Sequence, residues 1–310
     1  MSIRQWTGGE LRLAPWTNEW VIVAPARAAR VREAAGVCPF CPGAWENTPP
    51  EHWRLSSSDG RGWRVRAVAN RYALSDHHEV VIESPHHDWD LTTATTTEIT
   101  DVLTAWQHRY RALRPGAAEV VVFRNKSEAA GSSLPHPHSQ VLGLPVLSGV
   151  TARSVAVARE HYETMGRRLV DDVVEGELAH GERIVHARDG AVAFVPIAPA
   201  TEFETRIVPS TYRADFGAAT PDELTAVADS LRVVLAALRI TLADPAYNVV
   251  LHTAPMAWTT APFLAWHLQV LPRLSTPAGL EVATGIPVLT IRPEDCATRL
   301  RAAAAVDTVH

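Results

Sequence analysis

Residues 135–142, Pro-His-Pro-His-Ser-Gln-Val-Leu, align without a gap with residues 264–271, Leu-Ala-Trp-His-Leu-Gln-Val-Leu, pairing His138 with His267 and Gln140 with Gln269. What comes before each segment is also alike. Thr95-x-x-Glu98 and Thr220-x-x-Glu223 are capping boxes, the second with Pro221 at the first helical position. Behind the first box Ile99, Val102, Leu103, Trp106, Tyr110 and Leu113 recur at helical spacing. Behind the second, Leu224, Val227, Leu231, Val234, Leu235 and Leu238 do the same. Apolar strand-like runs flank each helix: Val80–Ile82 and Val120–Phe123 around the first, Arg206–Val208 and Val249–Leu251 around the second. This ordered repetition predicts an α+β protein built by duplication. Its two fused halves, residues 1–150 and 151–310, are each expected to hold an antiparallel sheet with a packed helix, and to share one sheet or interface.

The chain's 310 residues and 46% hydrophobic content can build one large domain or two ordinary ones. A net charge of −5, with no Lys/Arg stripe, argues against nucleic acid as a partner. No segment approaches the roughly 18–20 apolar residues of a membrane span, and MSIRQWTGGE lacks the apolar centre of a signal peptide. Three cysteines make a disulfide framework improbable and favour a reduced, cytoplasmic protein. Cys296 reads as a core residue of a C-terminal helix.

In an extended chain His136, His138 and Gln140 share one face. Pro137 cannot donate to a sheet ladder, which predicts a strand at an edge or beside a loop. Gly131-Ser132-Ser133 just upstream is a small polar turn whose N–H groups could cradle an anion. A neutral imidazole can attack phosphorus and form a labile adduct that a second acceptor resolves. Two charged imidazoles so close would hinder one another, so one of them suits another task such as metal binding. Cys38-x-x-Cys41 is half of a tetrahedral zinc site. The expected set adds His136 and His87, with spacing alone leaving His86 and His87 open, and His138 remains the nucleophile. Such a zinc is structural, since four protein ligands leave no open position. Asp76-His77-His78 reads as a solvated turn.

From Asn125-Lys126 through Gly131-Ser132-Ser133 to Pro135-His136-Pro137-His138-Ser139-Gln140, the chain resembles the active-site segment of galactose-1-phosphate uridylyltransferases. These form the transferase branch of the histidine-triad superfamily. Pro15–Arg27, Val68–Leu74 and Leu271–Ile286 resemble the family's N-terminal strand and arginine, nucleoside-binding turn and C-terminal signature, so the likeness spans nearly the whole chain. It implies two histidine-triad-like halves, the second degenerate, and a ping-pong transfer of a nucleoside monophosphate from a nucleotide sugar to a phosphate-bearing acceptor. His138 would carry the nucleotide and Gln140 would bond the phosphoryl group. Ser133, Ser132 and Asn125 would hold phosphate oxygens, Arg27 and Arg30 would lie near the phosphates, and Asn70 and Tyr72 would line the nucleoside. The resemblance favours His87 over His86 in a zinc set of Cys38, Cys41, His87 and His136. It also implies a homodimer and a place in carbohydrate metabolism.

The chain departs from the family at two places. Related members carry a second metal in the C-terminal half. The matching positions here are Arg168, Asp171, Tyr212 and Ala265, and Gln269 stands for another ligand, which predicts one metal rather than two. His252 and His267 are expected to pack or hydrogen-bond. Galactose-reading members also place a carboxylate soon after the glycine matching Gly285, where Ile286-Pro287-Val288-Leu289 stands here, so the acceptor need not be a hexose phosphate. The alternatives are a phosphorylase acting on ADP-glucose or a dinucleoside polyphosphate, and a catalytically silent nucleotide-binding protein. The intact His138-Ser139-Gln140 argues against the last.

Overall fold

The computed structural model of the chain describes residues 3–6, 8–29, 38–44 and 48–307. Both helices announced by capping boxes form: α1 (Thr96–Ala112) behind Thr95 and α4 (Pro221–Leu242) behind Thr220, each with the reciprocal cap bonds in place. Every apolar residue named for their periodic faces is buried.

The strands order themselves around those helices. The first half supplies β4 (Glu51–Ser56), β5 (Trp63–Ala69), β6 (His77–Ile82), β7 (Glu119–Lys126) and β8 (His138–Leu144). The second supplies β9 (Ile184–Arg188), β10 (Ala191–Phe194), β11 (Thr205–Pro209), β12 (Tyr247–His252) and β13 (His267–Pro272). Together they make one ten-stranded sheet in the order β4-β5-β6-β8-β7-β12-β13-β11-β10-β9. The second five mirror the first five about the β7–β12 junction, and every pairing is antiparallel. A separate sheet, β1 (Ile3–Trp6), β2 (Gly9–Leu13) and β3 (Trp20–Val23), leads into a 3₁₀ turn over Pro25–Ala29.

Helices α1 and α4 lie side by side, and one core runs from Val65 and Val81 beneath α1 to Val249 and Leu268 beneath α4. Helix α6 (Pro293–Asp307) packs on α4 and buries Cys296, as expected. Helices α2 (Gly149–Met165) and α3 (Leu169–His180) join the halves, and α5 (Gly279–Thr284) follows β13. Among the described residues no helix is long and apolar enough to cross a membrane.

Strand alternation decides where chemistry can sit. Ser139 turns toward α1, where its hydroxyl accepts the Trp106 indole N–H at 2.6 Å, and Val81 and Val141 join the α1 core. His138 and Gln140 therefore emerge on the opposite face, beside Val80 and Ile82, which pack with Phe40, Trp63 and Val68.

Two expectations need correction. Strand β8 is not at an edge, since it lies between β6 and β7, but the other form of that expectation holds: Pro137 stands in the loop just ahead of it. Pro137 precedes its first ladder residue, so no sheet donor is lost, and its carbonyl accepts from the Glu83 N–H at 3.2 Å. Nor is Asp76-His77-His78 a solvated turn. Asp76 and His77 are exposed, but β6 begins at His77 and alternation buries His78 to 4% exposure.

Candidate functional site: a cysteine–histidine cluster beside an oriented imidazole

The two cysteines sit in a tight turn in which the Cys41 N–H meets the Cys38 carbonyl at 3.3 Å. Opposite them stand His136, just ahead of β8, and His87, just beyond β6. Cys38 Sγ lies 3.6 Å from His136 Nδ1, and Cys41 Sγ lies 3.6 Å from the same atom and 3.4 Å from His87 Nδ1. All four ligand atoms fall within 4.8 Å of one another. A tetrahedron with metal bonds of about 2.0–2.3 Å has edges of about 3.3–3.8 Å; the three separations of 3.4–3.6 Å match it, and the two-sulfur, two-nitrogen set suits zinc. His86, exposed, is outside the cluster, and the choice left open by spacing falls on His87.

His136 is prepared as a ligand. It is fully buried, and its Nε2–H donates to the Ser84 carbonyl at 2.8 Å, which puts the lone pair on Nδ1 facing the sulfurs. Burial, reinforced by His87, lowers the pKa of the ring and keeps it neutral.

His138 is oriented the other way round. Its Nδ1 lies 2.8 Å from the His136 carbonyl, and a carbonyl oxygen only accepts, so Nδ1 carries the hydrogen and Nε2 the lone pair. Phe40, between the two cysteines, meets the His136 ring edge-on at 5.9 Å and the His138 ring at 5.5 Å. The cysteine turn and the His136 backbone thus hold His138 from two sides.

The remaining predicted residues are held by one another and by neighbouring strands. Gln140 Oε1 is 3.0 Å from His78 Nε2 and 3.3 Å from Asn70 Nδ2. Asn70 Oδ1 takes the Tyr72 N–H at 2.9 Å, and the Tyr72 carbonyl accepts from Arg27 at 2.7 Å, so Arg27 clamps the Asn70–Tyr72 turn. Asn125 on β7 has its oxygen held by Asn248 of β12 at 2.8 Å, so its NH2 is the end it can offer a ligand. Gly131, at φ +92°, faces that NH2; a Cβ there would come within 3.6 Å of it, in a conformation side chains rarely adopt. The expected anion cradle is smaller than the sequence suggested. The N–H groups of Gly131 and Ser132 bond the carbonyls of Glu128 and Ser127, and the Ser132 hydroxyl donates to the Leu134 carbonyl at 2.8 Å. Ser133 closes this loop and is half-buried. Arg30 lies outside the described residues. Ile286 and Val288 are exposed, at 63% and 53%, so this stretch stands at the surface.

In the second half Arg168, Asp171 and Tyr212 do come together. The Arg168 guanidinium lies over the Tyr212 ring at 5.4 Å, donates to its carbonyl at 2.7 Å and reaches Asp171 at 3.2 Å. A guanidinium thus stands among three of the four residues compared above with a second metal's ligands. His252 and His267 stack at 4.7 Å, and Gln269 bridges His252 and Glu204 at 2.7 Å on either side. Sequence reasoning missed His78, Asn248 and Glu204. Only His78 left a signal, standing two residues before Val80 and hence on its face.

The family model for the galactose-1-phosphate uridyl transferase N-terminal domain matches residues 76–148. An ADP-glucose phosphorylase of Arabidopsis thaliana is 30% identical over 94% of this chain and 92% of its own. A galactose-1-phosphate uridylyltransferase of Thermotoga maritima is 26% identical over 94% and 98%. The solved structure of a uridylyltransferase superimposes with a TM-score of 0.83 at 29% identity, covering 96% of this chain and 98% of its own.

Proposed function

The chain belongs to the galactose-1-phosphate uridylyltransferase family, and on that premise we propose that it is a nucleotidyltransferase working through a covalent adduct on His138. The observation that carries this is the 2.8 Å bond from His138 Nδ1–H to the His136 carbonyl, which puts the ring's lone pair on Nε2. In the first half-reaction Nε2 attacks the α-phosphorus of a nucleotide sugar. The bond from that phosphorus to the bridging oxygen breaks, and a sugar 1-phosphate leaves. The adduct places positive charge on the imidazole, which the His136 carbonyl stabilises through Nδ1–H. In the second half-reaction an oxygen of a phosphate-bearing acceptor attacks the same phosphorus, the nitrogen–phosphorus bond breaks, and the ring returns to neutrality.

Gln140 and Asn125, each with its oxygen already held, would offer NH2 groups to the phosphoryl oxygens, with Ser133 as a further donor. Asn70 and Tyr72 receive the nucleoside on a turn braced by Arg27. Cys38, Cys41, His87 and His136 would hold zinc, which supplies structure rather than an open coordination position. The reading takes residues 1–150 as the catalytic half and 151–310 as its degenerate repeat, in a cytoplasmic homodimer.

A second reading concerns the acceptor. The likeness to an ADP-glucose phosphorylase along nearly the whole chain supports inorganic phosphate, as does the absence of a side-chain carboxylate in Ile286–Leu289. ADP-glucose and phosphate would then give ADP and glucose 1-phosphate. The test supplies ADP-glucose or UDP-glucose with either phosphate or galactose 1-phosphate and follows all products. Double-displacement kinetics with one of these pairs is the expected result. Nucleotide binding without turnover, or kinetics requiring both substrates bound together, contradicts the proposal.

A further inference from the structure

His78 lies on β6 diagonal to Gln140: the β6–β8 register sets Val80 opposite Gln140 and His78 opposite Leu142. Its protonation pattern is fixed by the backbone. The Leu74 N–H donates to His78 Nδ1 at 3.0 Å, so the neutral ring carries its hydrogen on Nε2, which donates to Gln140 Oε1 at 3.0 Å. Asn70 Nδ2 lies 3.1 Å from His78 Nε2 and 3.3 Å from the same Gln140 oxygen; since the Leu74 N–H fills Nδ1 and leaves Nε2 a donor, both nitrogens donate to that oxygen rather than to each other, and the Asn70 N–H bonds the His78 carbonyl at 2.9 Å. The Asn70–Leu74 turn is therefore wrapped around this imidazole. With its oxygen taken, Gln140 can offer a ligand only its NH2.

The second half contains the opposite arrangement. The β11–β13 register sets Arg206 opposite Gln269, so the position two residues earlier, corresponding to His78, is Glu204. A carboxylate only accepts. Gln269 accordingly donates its NH2 to Glu204 at 2.7 Å and turns its oxygen to His252 Nε2 at 2.7 Å. The same glutamine, at matching places in the two halves, presents opposite ends. The NH2 of Gln140 suits a phosphate oxygen, whereas at Gln269 the NH2 is consumed beside a carboxylate that repels an anion.

We infer that His78 is a positioning residue: by donating to Gln140 it sets that amide's polarity toward the phosphoryl group, and the donor-to-acceptor exchange between His78 and Glu204 distinguishes the catalytic half from its repeat. The inference rests on the transfer proposed above for His138 and Gln140.

Its test combines an activity-independent readout with a variant series, using the full zinc-loaded chain. Side-chain ¹⁵N NMR of the wild type should show His78 hydrogenated at Nε2 and bare at Nδ1; the reverse tautomer overturns the inference. In single-turnover adduct formation from ADP-glucose or UDP-glucose, His78→Phe and His78→Glu should each slow the step by about 10²–10³-fold, the range for loss of one fixed donor. Gln140→Ala should cost the same, and His78→Phe combined with Gln140→Ala should be no slower than the worse single variant. Zinc content should hold, and His78→Gln, which keeps a donor, should recover most of the rate. Losses that multiply in the double variant, or a full-rate His78→Glu, overturn the inference. If the wild type forms no adduct, it is the transfer reading that fails, and the tautomer still decides the role of His78.

Discussion

At the residue scale, two backbone carbonyls assign the two histidines their work. Ser84 takes the Nε2–H of His136 and turns Nδ1 to the sulfurs, while the His136 carbonyl takes the Nδ1–H of His138 and leaves that ring's lone pair on Nε2. That the two imidazoles are not both readily charged was legible in Pro135–Gln140, where they stand two residues apart. The tautomers were not, because they depend on carbonyls positioned by folding. Gln140 gives the sharpest functional prediction at this scale. Gln140→Ala should lower kcat by about 10²–10³-fold with little change in donor affinity, since a fixed donor acts on charge that develops in the transition state. Steady-state kinetics beside direct binding of the nucleotide sugar checks this, and a loss confined to affinity would reassign Gln140 to ground-state binding.

At the scale of elements, the capping boxes were legible because cap, third helical residue and apolar face all lie within one helix. Strand placement was less so. Pro137 suggested an edge or a neighbouring loop, and the loop is what forms, since a proline one residue ahead of a ladder removes nothing from it; His78 sat unseen in β6 because His77 beside it is exposed. The β12–β13 pair, with His252 opposite His267, predicts a pH dependence. Burial lowers both rings below their ordinary 6.5, His267 strongly and with His252 adding to it. The unfolded chain therefore binds more protons than the fold in mild acid, and stability rises with pH there. The contribution is fully present above pH 6.5 and is lost as pH falls toward the folded values, by at most about 1.4 kcal/mol per ring per pH unit. Urea midpoints at neutral and mildly acidic pH should show this loss, and His252→Gln with His267→Leu should flatten it.

At the scale of the whole molecule, duplication and a shared sheet or interface were legible, and the order of the strands was not. The aligned segments foretold two similar halves, but only the sheet order shows that they join strand to strand, β7 to β12, with α1 against α4. Divergence then acted locally. One half keeps a sulfur–nitrogen cluster, and at the matching place the other has Arg168 against Tyr212 and Asp171. Metal analysis should accordingly give about one zinc per chain, lost in Cys38→Ser with Cys41→Ser and unaffected by Arg168→Ala. Two tightly held metals would contradict this account of the second half. The most direct measurement concerns the imidazole on which the account depends. The chain is incubated with a nucleotide sugar, quenched in alkali, digested and weighed by mass spectrometry. The account predicts one nucleoside monophosphate on the peptide containing residues 132–145, attached at His138 and absent from His138→Ala. A wild-type chain that turns the donor over with no mass added there, or with the mass on another residue, would contradict it.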